Sequence, residues 1–264
     1  MHRSTLPGGV ELIIDAGRRV ARVRLDRPEV RNAQTMATWA SLAEAAARIR
    51  AHGEIAVVVL SVSGDDFSAG LDLRMLRGSA PAGEGDLRQL LINDDAGIQE
   101  AIAGFQEGFS CWRELPAIVV AVVSGRAIGA GFQLALAADL RILSEDAVLV
   151  MAEARLGLVP DLGGTQRLVE IVGYAHALEI CATAGPVDAH RAVRLGLANT
   201  VVPRGQLESA VEHCLDTLLA VDPTVSCAVK ALVRGATRAA PAEQLAAERA
   251  AQVPLLRKII GSTG

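Results

Sequence analysis

Short apolar runs typical of β-strands recur through the first part of the chain, and segments of helix length separate them. The clearest runs lie at residues 57–60, 118–123, 140–143 and 148–151, and they are rich in Val, Ile and Leu. Unbroken runs of this kind suit strands that are buried on both faces of a sheet. Because helical patterns connect them, the sequence predicts βαβ units and a parallel sheet, which places the chain in the α/β class.

Further patterns surround these predicted strands. An alternating pattern at 10–14 and 20–25 predicts a β-hairpin ahead of the parallel strands. Helical periodicity marks 35–50 and 87–113, and the turn-rich segment 78–86 is the best candidate for a mobile loop.

The pattern becomes almost entirely helical after residue 165. Gly173, Gly185-Pro186 and Pro223 punctuate these helical segments. We therefore predict a β/α core with the ligand site over residues 1–200 and a C-terminal helical region over residues 201–264.

Composition excludes several classes of protein. With 51% hydrophobic and 21% charged residues among 264, the chain is not a disordered protein. Its net charge of −4 gives no basic surface for nucleic acid, and no apolar run approaches the ~20 residues of a membrane span. The N-terminal residues lack the apolar core of a signal peptide, so we expect a cytoplasmic protein.

Cysteine and histidine usage points away from a metal centre. The four cysteines include no C-x-x-C pair, and the five histidines are scattered along the chain. This pattern predicts reduced thiols rather than a disulfide framework, and no metal ligand set.

Two glycine-containing junctions follow predicted strands, at 67–73 and 124–133. The carboxyl ends of parallel strands share one edge of a sheet, so each junction could direct a backbone N–H group to one point there. Two such donors form an oxyanion hole. Glycine turns after strands are also common in α/β proteins without this function. The second junction matches neither the dinucleotide-binding pattern G-x-G-x-x-G nor a phosphate-binding loop.

Four segments in order carry a family resemblance: RPEVRNAQT at 27–35, FSAGLDL at 67–73, VSGRAIGAGFQLALAADLRI at 123–142 and MAEARLGLVPDLGGTQRL at 151–168. With them, the chain resembles the crotonase (enoyl-CoA hydratase/isomerase) superfamily over nearly its whole length. The resemblance implies a spiral of βαβ units with a C-terminal helical region, assembled as a homotrimer or a dimer of trimers. It also implies an acyl-CoA substrate, with coenzyme A as part of the thioester and no tightly bound cofactor.

The resemblance assigns roles to residues of the two junctions. It implies that the backbone N–H groups of Leu71 and Ala130 bind the thioester oxygen. It further implies that neighbouring residues help to hold the coenzyme A moiety or flank the second donor: Ala69, Gly70, Asp72, Leu73, Gly129 and Gly131.

Two positions decide the reaction in such proteins. Hydratases commonly have a glutamate at each, whereas this chain has Gln133 at the first and Glu153 at the second. An amide can orient water but cannot act as a general base at neutral pH. One carboxylate beside an oxyanion hole suffices to move a double bond, so we predict enoyl-CoA isomerisation with Glu153 as the acid/base.

Asp161 and Glu153 leave alternatives open. Asp161 follows Glu153 by eight residues, as in the dienoyl-CoA isomerase branch, but it is also placed to cap the next helix. Glu153 could instead form an ion pair with Arg155 or Arg167. For the whole protein, the alternatives are an enoyl-CoA hydratase of fatty-acid β-oxidation, in which Gln133 positions water, and a non-catalytic acyl-CoA-binding protein.

Overall fold

Hydrogen bonds between parallel strands organise the centre of the molecule, which a computed structural model describes over residues 1–261. The strands are β1 His2–Leu6, β2 Val10–Asp15, β3 Val20–Leu25, β4 Val57–Val62, β5 Ile118–Val123, β6 Arg126–Ile128, β7 Leu140–Ser144, β8 Val148–Val150, β9 Val187–Asp188 and β10 Thr200–Val202. The helices are α1 Met36–His52, α2 Arg74–Arg77, α3 Asp95–Glu114, α4 Ala130–Ala137, α5 Gly164–Thr183, α6 Ala189–Arg194, α7 Leu207–Leu219, α8 Pro223–Ala236 and α9 Pro241–Gly261.

The main sheet has the strand order β1-β2-β3-β4-β5-β7-β10. Strands β1 to β3 are antiparallel, and β3, β4, β5, β7 and β10 run parallel to one another. A smaller sheet joins β6 and β8 in parallel and β8 and β9 in antiparallel fashion. The predicted α/β class, hairpin and parallel strands are therefore confirmed.

Burial on both faces explains the composition of the central strands. The exposed fraction of Val58, Val59 and Val119 is 0%, and that of the neighbouring Val120 and Ala121 is at most 1%. Branched aliphatic residues suit this double burial. One face of the sheet packs on α1, α3 and α4, and the opposite face carries a smaller apolar cluster with α7.

The predicted helix over 87–113 is wrong in its first eight residues. A 3₁₀ helix occupies Leu87–Ile92, and α3 starts afresh at Asp95. The Asp94 side chain accepts a hydrogen bond from the Gly97 N–H group and so caps a new helix. The apolar periodicity continues across this break, which is why the sequence suggested one helix.

The helical C-terminal region is confirmed, with two short strands that periodicity did not reveal. Strands β9 and β10 have two and three residues, too few for an alternating pattern. Since β10 completes the main sheet beside β7, the boundary proposed at residue 200 falls on the last strand. This boundary stays a prediction, and residues 262–264 of the proposed region 201–264 lie outside the described residues.

Helix α8 is attached to the core through a buried lysine. The Lys230 ammonium lies 2.7 Å from Asp139 and donates a hydrogen bond to the Ala117 carbonyl oxygen at 2.8 Å. Burial lowers the pKa of Lys230, and the Asp139 carboxylate opposes that effect. Among the helices of residues 1–261, none combines the length and hydropathy of a bilayer span.

Helices α1 and α3 approach closely at Gly108. A Cβ atom at this position would lie 2.6 Å from the backbone oxygen of Trp39, whereas one at Gly104, on the same helix, would meet nothing within 4 Å. We expect Gly108→Ala to lower the free energy of unfolding by about 1–3 kcal/mol through overpacking. The matched control Gly104→Ala should raise the free energy of unfolding by about 0.5–1 kcal/mol, because alanine has a higher helix propensity than glycine at an exposed position. Urea denaturation of both variants checks the contrast, and equal midpoints would contradict it.

Candidate active site

A cavity of about 600 Å³ opens where the two glycine-containing junctions meet α1, α3 and the turn after β8. Most of its lining is aliphatic or aromatic, including Trp39, Leu76, Leu90, Ile102, Phe105 and Leu162. Its ionisable lining residues are Glu153, Arg155 and Asp161. Such a cavity is suited to an apolar group with chemistry at one point.

The two junctions touch through their backbones. Ser68 donates from its N–H group to the Arg126 carbonyl oxygen at 2.9 Å, and the Ile128 N–H group donates to the Ser68 carbonyl oxygen at the same distance. Gly70 has a φ of +83°, and a Cβ atom there would overlap the Ile128 carbonyl oxygen and lie 3.5 Å from the Ala130 nitrogen. Only glycine permits this approach.

Two backbone donors line the cavity at this contact. Leu71 and Ala130 both line it, and within residues 1–261 neither of their N–H groups donates a hydrogen bond. Their neighbours do: the Asp72 N–H group donates to Gln34 and the Gly129 N–H group donates to Val150, each at 2.8 Å. Ala130 also begins α4, so the positive end of the helix dipole lies there. The arrangement fits a carbonyl oxygen that gains negative charge.

The Glu153 carboxyl group lies against the second junction. Glu153 begins the 3₁₀ turn Glu153–Leu156 after β8, and its Oε1 atom lies 3.2 Å from where a Cβ on Gly129 would be. Oε1 accepts a hydrogen bond from Gln133 Nε2 at 2.7 Å, and the buried Oε2 atom has no hydrogen-bond partner in the described chain. Burial raises the pKa of Glu153, the Gln133 hydrogen bond opposes this, and the charge of Asp161 adds to it.

Gln133 lies behind Glu153 rather than in the cavity lining. It is 2% exposed on α4, and its Oε1 atom accepts hydrogen bonds from the N–H groups of Leu162 at 3.0 Å and Gly164 at 3.1 Å. One side-chain amide therefore joins α4, the Glu153 carboxyl group and the start of α5. Nothing in the sequence pattern signalled these contacts.

Asp161 lies at the exposed rim of the cavity. Its carbonyl oxygen accepts a hydrogen bond from Gln106 Nε2 of α3 at 2.6 Å, and the protein around its carboxyl group raises the pKa of Asp161 by desolvation. The capping alternative is wrong, because Gly163 is the N-cap of α5 and no side chain caps that helix.

The ion-pair alternative for Glu153 is wrong as well. The Arg155 guanidinium donates to the Ala184 carbonyl oxygen at 2.6 Å, and Arg167 pairs with Glu170 at 3.3 Å. Across residues 1–261, Glu153 has no cationic partner within ion-pair distance.

The other predicted site residues divide into two groups. The cavity is lined by Ala69, Gly70, Leu73 and Gly129. Asp72 and Gly131 lie behind that lining. The Asp72 carboxylate is buried and bound in bidentate fashion by Arg74, and this contact lowers the pKa of Asp72. A Cβ on Gly131 would lie 2.7 Å from the Cβ of Ser68, so this glycine allows α4 to pack on the first junction.

Sequence reasoning missed a buried glutamine that supports the site. The Gln34 side chain accepts a hydrogen bond from Trp39 Nε1 at 3.0 Å and donates one to Ser68 Oγ at 3.1 Å. The Trp39 ring in turn packs on Phe105, with ring centroids 5.0 Å apart. Nothing in the sequence pattern indicated that these two aromatic residues line a cavity. No group of three or more potential metal-ligating side chains occurs in the described part of the chain.

Comparison with known proteins covers most of the chain. The sequence model of the enoyl-CoA hydratase/isomerase family matches residues 15–258. The carnitinyl-CoA dehydratase of Salmonella paratyphi A is 34% identical over 227 residues, which is 85% of this chain and 80% of that protein.

Solved structures agree closely with this fold. A Thermobifida fusca YX protein in complex with acetoacetyl-CoA superposes with a TM-score of 0.89 at 43% identity, covering 95% of this chain and 96% of its own. A Thermobifida fusca YX structure in complex with CoA has a TM-score of 0.89 at 41% identity, covering 96% and 95%. The enoyl-CoA hydratase of Mycobacterium smegmatis is 27% identical with a TM-score of 0.83, covering 94% and 91%.

The backbone contact at Gly70 can be tested by comparison with an unhindered glycine. We expect Gly53→Ala, at a φ of +65° with nothing within 4 Å, to cost about 1–2 kcal/mol of backbone strain. Gly70→Ala should cost about 1–3 kcal/mol more, because its Cβ meets the backbone of the second junction. Urea denaturation measures both variants, and an equal loss would show that the two junctions are not in contact.

Proposed function

Because the chain belongs to the enoyl-CoA hydratase/isomerase family, with its crotonase fold, we propose that it binds an enoyl-CoA thioester in the cavity and shifts the double bond of the acyl group, with Glu153 as the acid/base. The observation that carries this proposal is the placement of one carboxyl group, Glu153, directly against the Gly129–Ala130 backbone. The bound CoA and acetoacetyl-CoA of the Thermobifida fusca structures support the choice of ligand.

The backbone donors would act first. The thioester oxygen accepts hydrogen bonds from the Leu71 and Ala130 N–H groups, which stabilise the negative charge that develops when the α-carbon loses a proton. One well-placed donor of this kind contributes about 3–4 kcal/mol in the transition state. No side chain is needed for this, so alanine at position 130 is compatible with it.

Glu153 would then move one proton between two carbons. Its carboxylate takes a proton from the α-carbon of a 3-enoyl thioester, and the C–H electron pair forms the dienolate. The same carboxyl group returns the proton to the γ-carbon, which leaves the double bond between the α- and β-carbons. The reaction neither consumes nor releases a proton, so a single buried carboxyl group with a raised pKa suffices.

Hydration or dehydration is the second candidate, and the carnitinyl-CoA dehydratase relative favours it. The side-chain contacts of Gln133 weigh against it. Its oxygen already accepts two backbone hydrogen bonds and its nitrogen already donates to Glu153, so little of the amide remains to position water. The expected assembly into trimers or dimers of trimers stays a prediction, which light scattering can test.

Absorbance assays with 3-enoyl-, 2-enoyl- and dienoyl-CoA separate the candidates. We expect the conjugated enoyl signal to appear from the 3-enoyl substrate. Rapid loss of that signal from the 2-enoyl substrate would instead identify a hydratase, and binding without either change would identify a non-catalytic binding protein.

Glu153→Gln should lower kcat for isomerisation by about 10²–10⁴-fold, the usual contribution of a general acid/base, with acyl-CoA affinity nearly unchanged. Glu107→Gln, an exposed carboxyl-to-amide change on α3, serves as the matched control and should retain full activity. Retention of activity by Glu153→Gln would refute the assignment of the base.

The pH dependence of kcat/KM offers an independent test. Glu153 must be ionised to take a proton, and burial raises its pKa above the ordinary glutamate value. Activity should therefore decrease as the pH falls through this raised pKa, at a higher pH than an exposed glutamate would give. A pH–rate profile that stays flat down to the ordinary glutamate range would contradict the prediction.

A further inference from the structure

We propose that Gln133 is a positioning residue for proton transfer, whose amide holds Glu153 through Oε1, leaves Oε2 to carry the proton, and ties this carboxyl group to the loop that bears Asp161. This inference rests on the proposed function, because it assigns to Glu153 the transfer of a proton at the α-carbon. It concerns a residue of this chain that does not itself line the cavity.

Three hydrogen bonds fix the orientation of the Gln133 amide. The N–H groups of Leu162 and Gly164 are both donors, so the side-chain atom that faces them must be the oxygen. The NH₂ group then faces Glu153, with Nε2 2.7 Å from Oε1. The backbone thus determines which end of the amide meets the carboxyl group.

This orientation decides which oxygen of Glu153 takes a proton. A proton on Oε1 would compete with the N–H donor of Gln133 for the lone pairs of that atom and weaken the hydrogen bond. A proton on Oε2 leaves the bond intact, and Oε2 has no other hydrogen-bond partner in the described chain. The carboxyl group can therefore cycle between its ionised and neutral forms without turning.

An ionised carboxylate could not replace Gln133 in this arrangement. It could accept from Leu162 and Gly164, but it has no proton to donate to Glu153. Two negative charges at hydrogen-bond distance cannot both persist, so such a pair would share one proton. The neutral amide holds Glu153 without adding charge beside it.

The loop that bears Asp161 has a second, separate attachment. Gln106 of α3 donates to the Asp161 carbonyl oxygen at 2.6 Å and makes no hydrogen bond to Glu153. The two glutamines can therefore be separated experimentally. Gln133 acts on both the loop and the carboxyl group, whereas Gln106 acts on the loop alone.

The ionisable groups around Glu153 are few. The charge of Asp161 raises the pKa of Glu153, and the charge of Glu153 in turn raises the pKa of the Cys181 thiol on α5, which burial already raises. Arg155 lines the same cavity with its guanidinium bound to the Ala184 carbonyl oxygen. None of these groups donates a hydrogen bond to Glu153, so the Gln133 amide is the contact to change.

The test compares three variants, Gln133→Met, Gln133→Glu and Gln106→Met, with a control. The control is Gln206→Met, at an exposed position just before α7 that does not line the cavity. Besides isomerisation, the exchange of the α-protons of butanoyl-CoA in D₂O, followed by NMR, reports proton removal in any reaction through an enolate. We expect Gln133→Met to slow both processes by up to about a hundredfold, with KM changed by less than about twofold.

The pH profile separates positioning from a merely structural role. Gln133→Met removes a donor that stabilises the ionised form of Glu153, so the acid limb of the exchange rate should move to higher pH. Gln133→Glu keeps the acceptor for Leu162 and Gly164, so it should fold even where the methionine variant does not, and its acid limb should also move to higher pH. Gln106→Met should leave the limb where it is in the wild type.

The outcomes distinguish this inference from the proposed function. If both Gln133 variants retain the rate and pH profile of Gln206→Met, the inference is overturned while the proposed function stands. If wild type exchanges α-protons without isomerising 3-enoyl-CoA, the proposed function fails, and the same exchange profiles still decide the role of Gln133. If Glu153→Gln exchanges at the wild-type rate, both are overturned.

Discussion

The close approach of two backbone segments at Gly70 is the constraint on which the site depends. No Cβ atom fits between Gly70 and the Ile128 carbonyl oxygen, and hydrogen bonds between Ser68 and the second junction fix the contact. Leu71 and Ala130 follow directly from it, so both N–H groups reach the same cavity. A pair of donors built from main-chain N–H groups tolerates different side chains at both positions.

To act as the proposed acid/base, the Glu153 carboxyl group must be able to exist in both protonation states. A neighbouring cation would lower the pKa of Glu153 and hold it ionised. The nearby arginines have other partners: Arg155 binds the Ala184 carbonyl oxygen and Arg167 binds Glu170. Glu153 is left with a neutral hydrogen-bond donor, Gln133, and with burial that raises its pKa. These surroundings favour the neutral form of the Glu153 carboxyl group more than water does, which suits the proton transfer proposed for it.

Much of the fold and the outline of the site follow from the sequence, because both depend on local patterns. The valine-rich run of β4 indicates a buried strand, and the glycine of the FSAGLDL segment indicates a tight turn after it. The break at Asp94 and the short strands β9 and β10 depend on single caps and long-range pairing, which periodicity does not record. The partners of Gln133 and Gln34 lie up to 34 residues away in sequence and meet only once the sheet has formed. Spacing along the chain therefore identifies the acid/base candidate but not the amide that holds it.

Helix α3 joins the stability of the fold to the geometry of the site. Its Gly108 packs on the backbone of α1, and Ile102 and Phe105, on the preceding turns, line the cavity. Gln106, between these positions, holds the loop of Asp161. A shift of α3 against α1 would therefore move the apolar wall and the Gln106 attachment of the Asp161 loop, while Gln133 ties the same loop and Glu153 to α4. The apolar wall and Glu153 are thus anchored to different helices, and the Asp161 loop, which both hold, couples them. In the proposed function, a change in α3 that alters the acyl-group preference would therefore reach Glu153 through this loop.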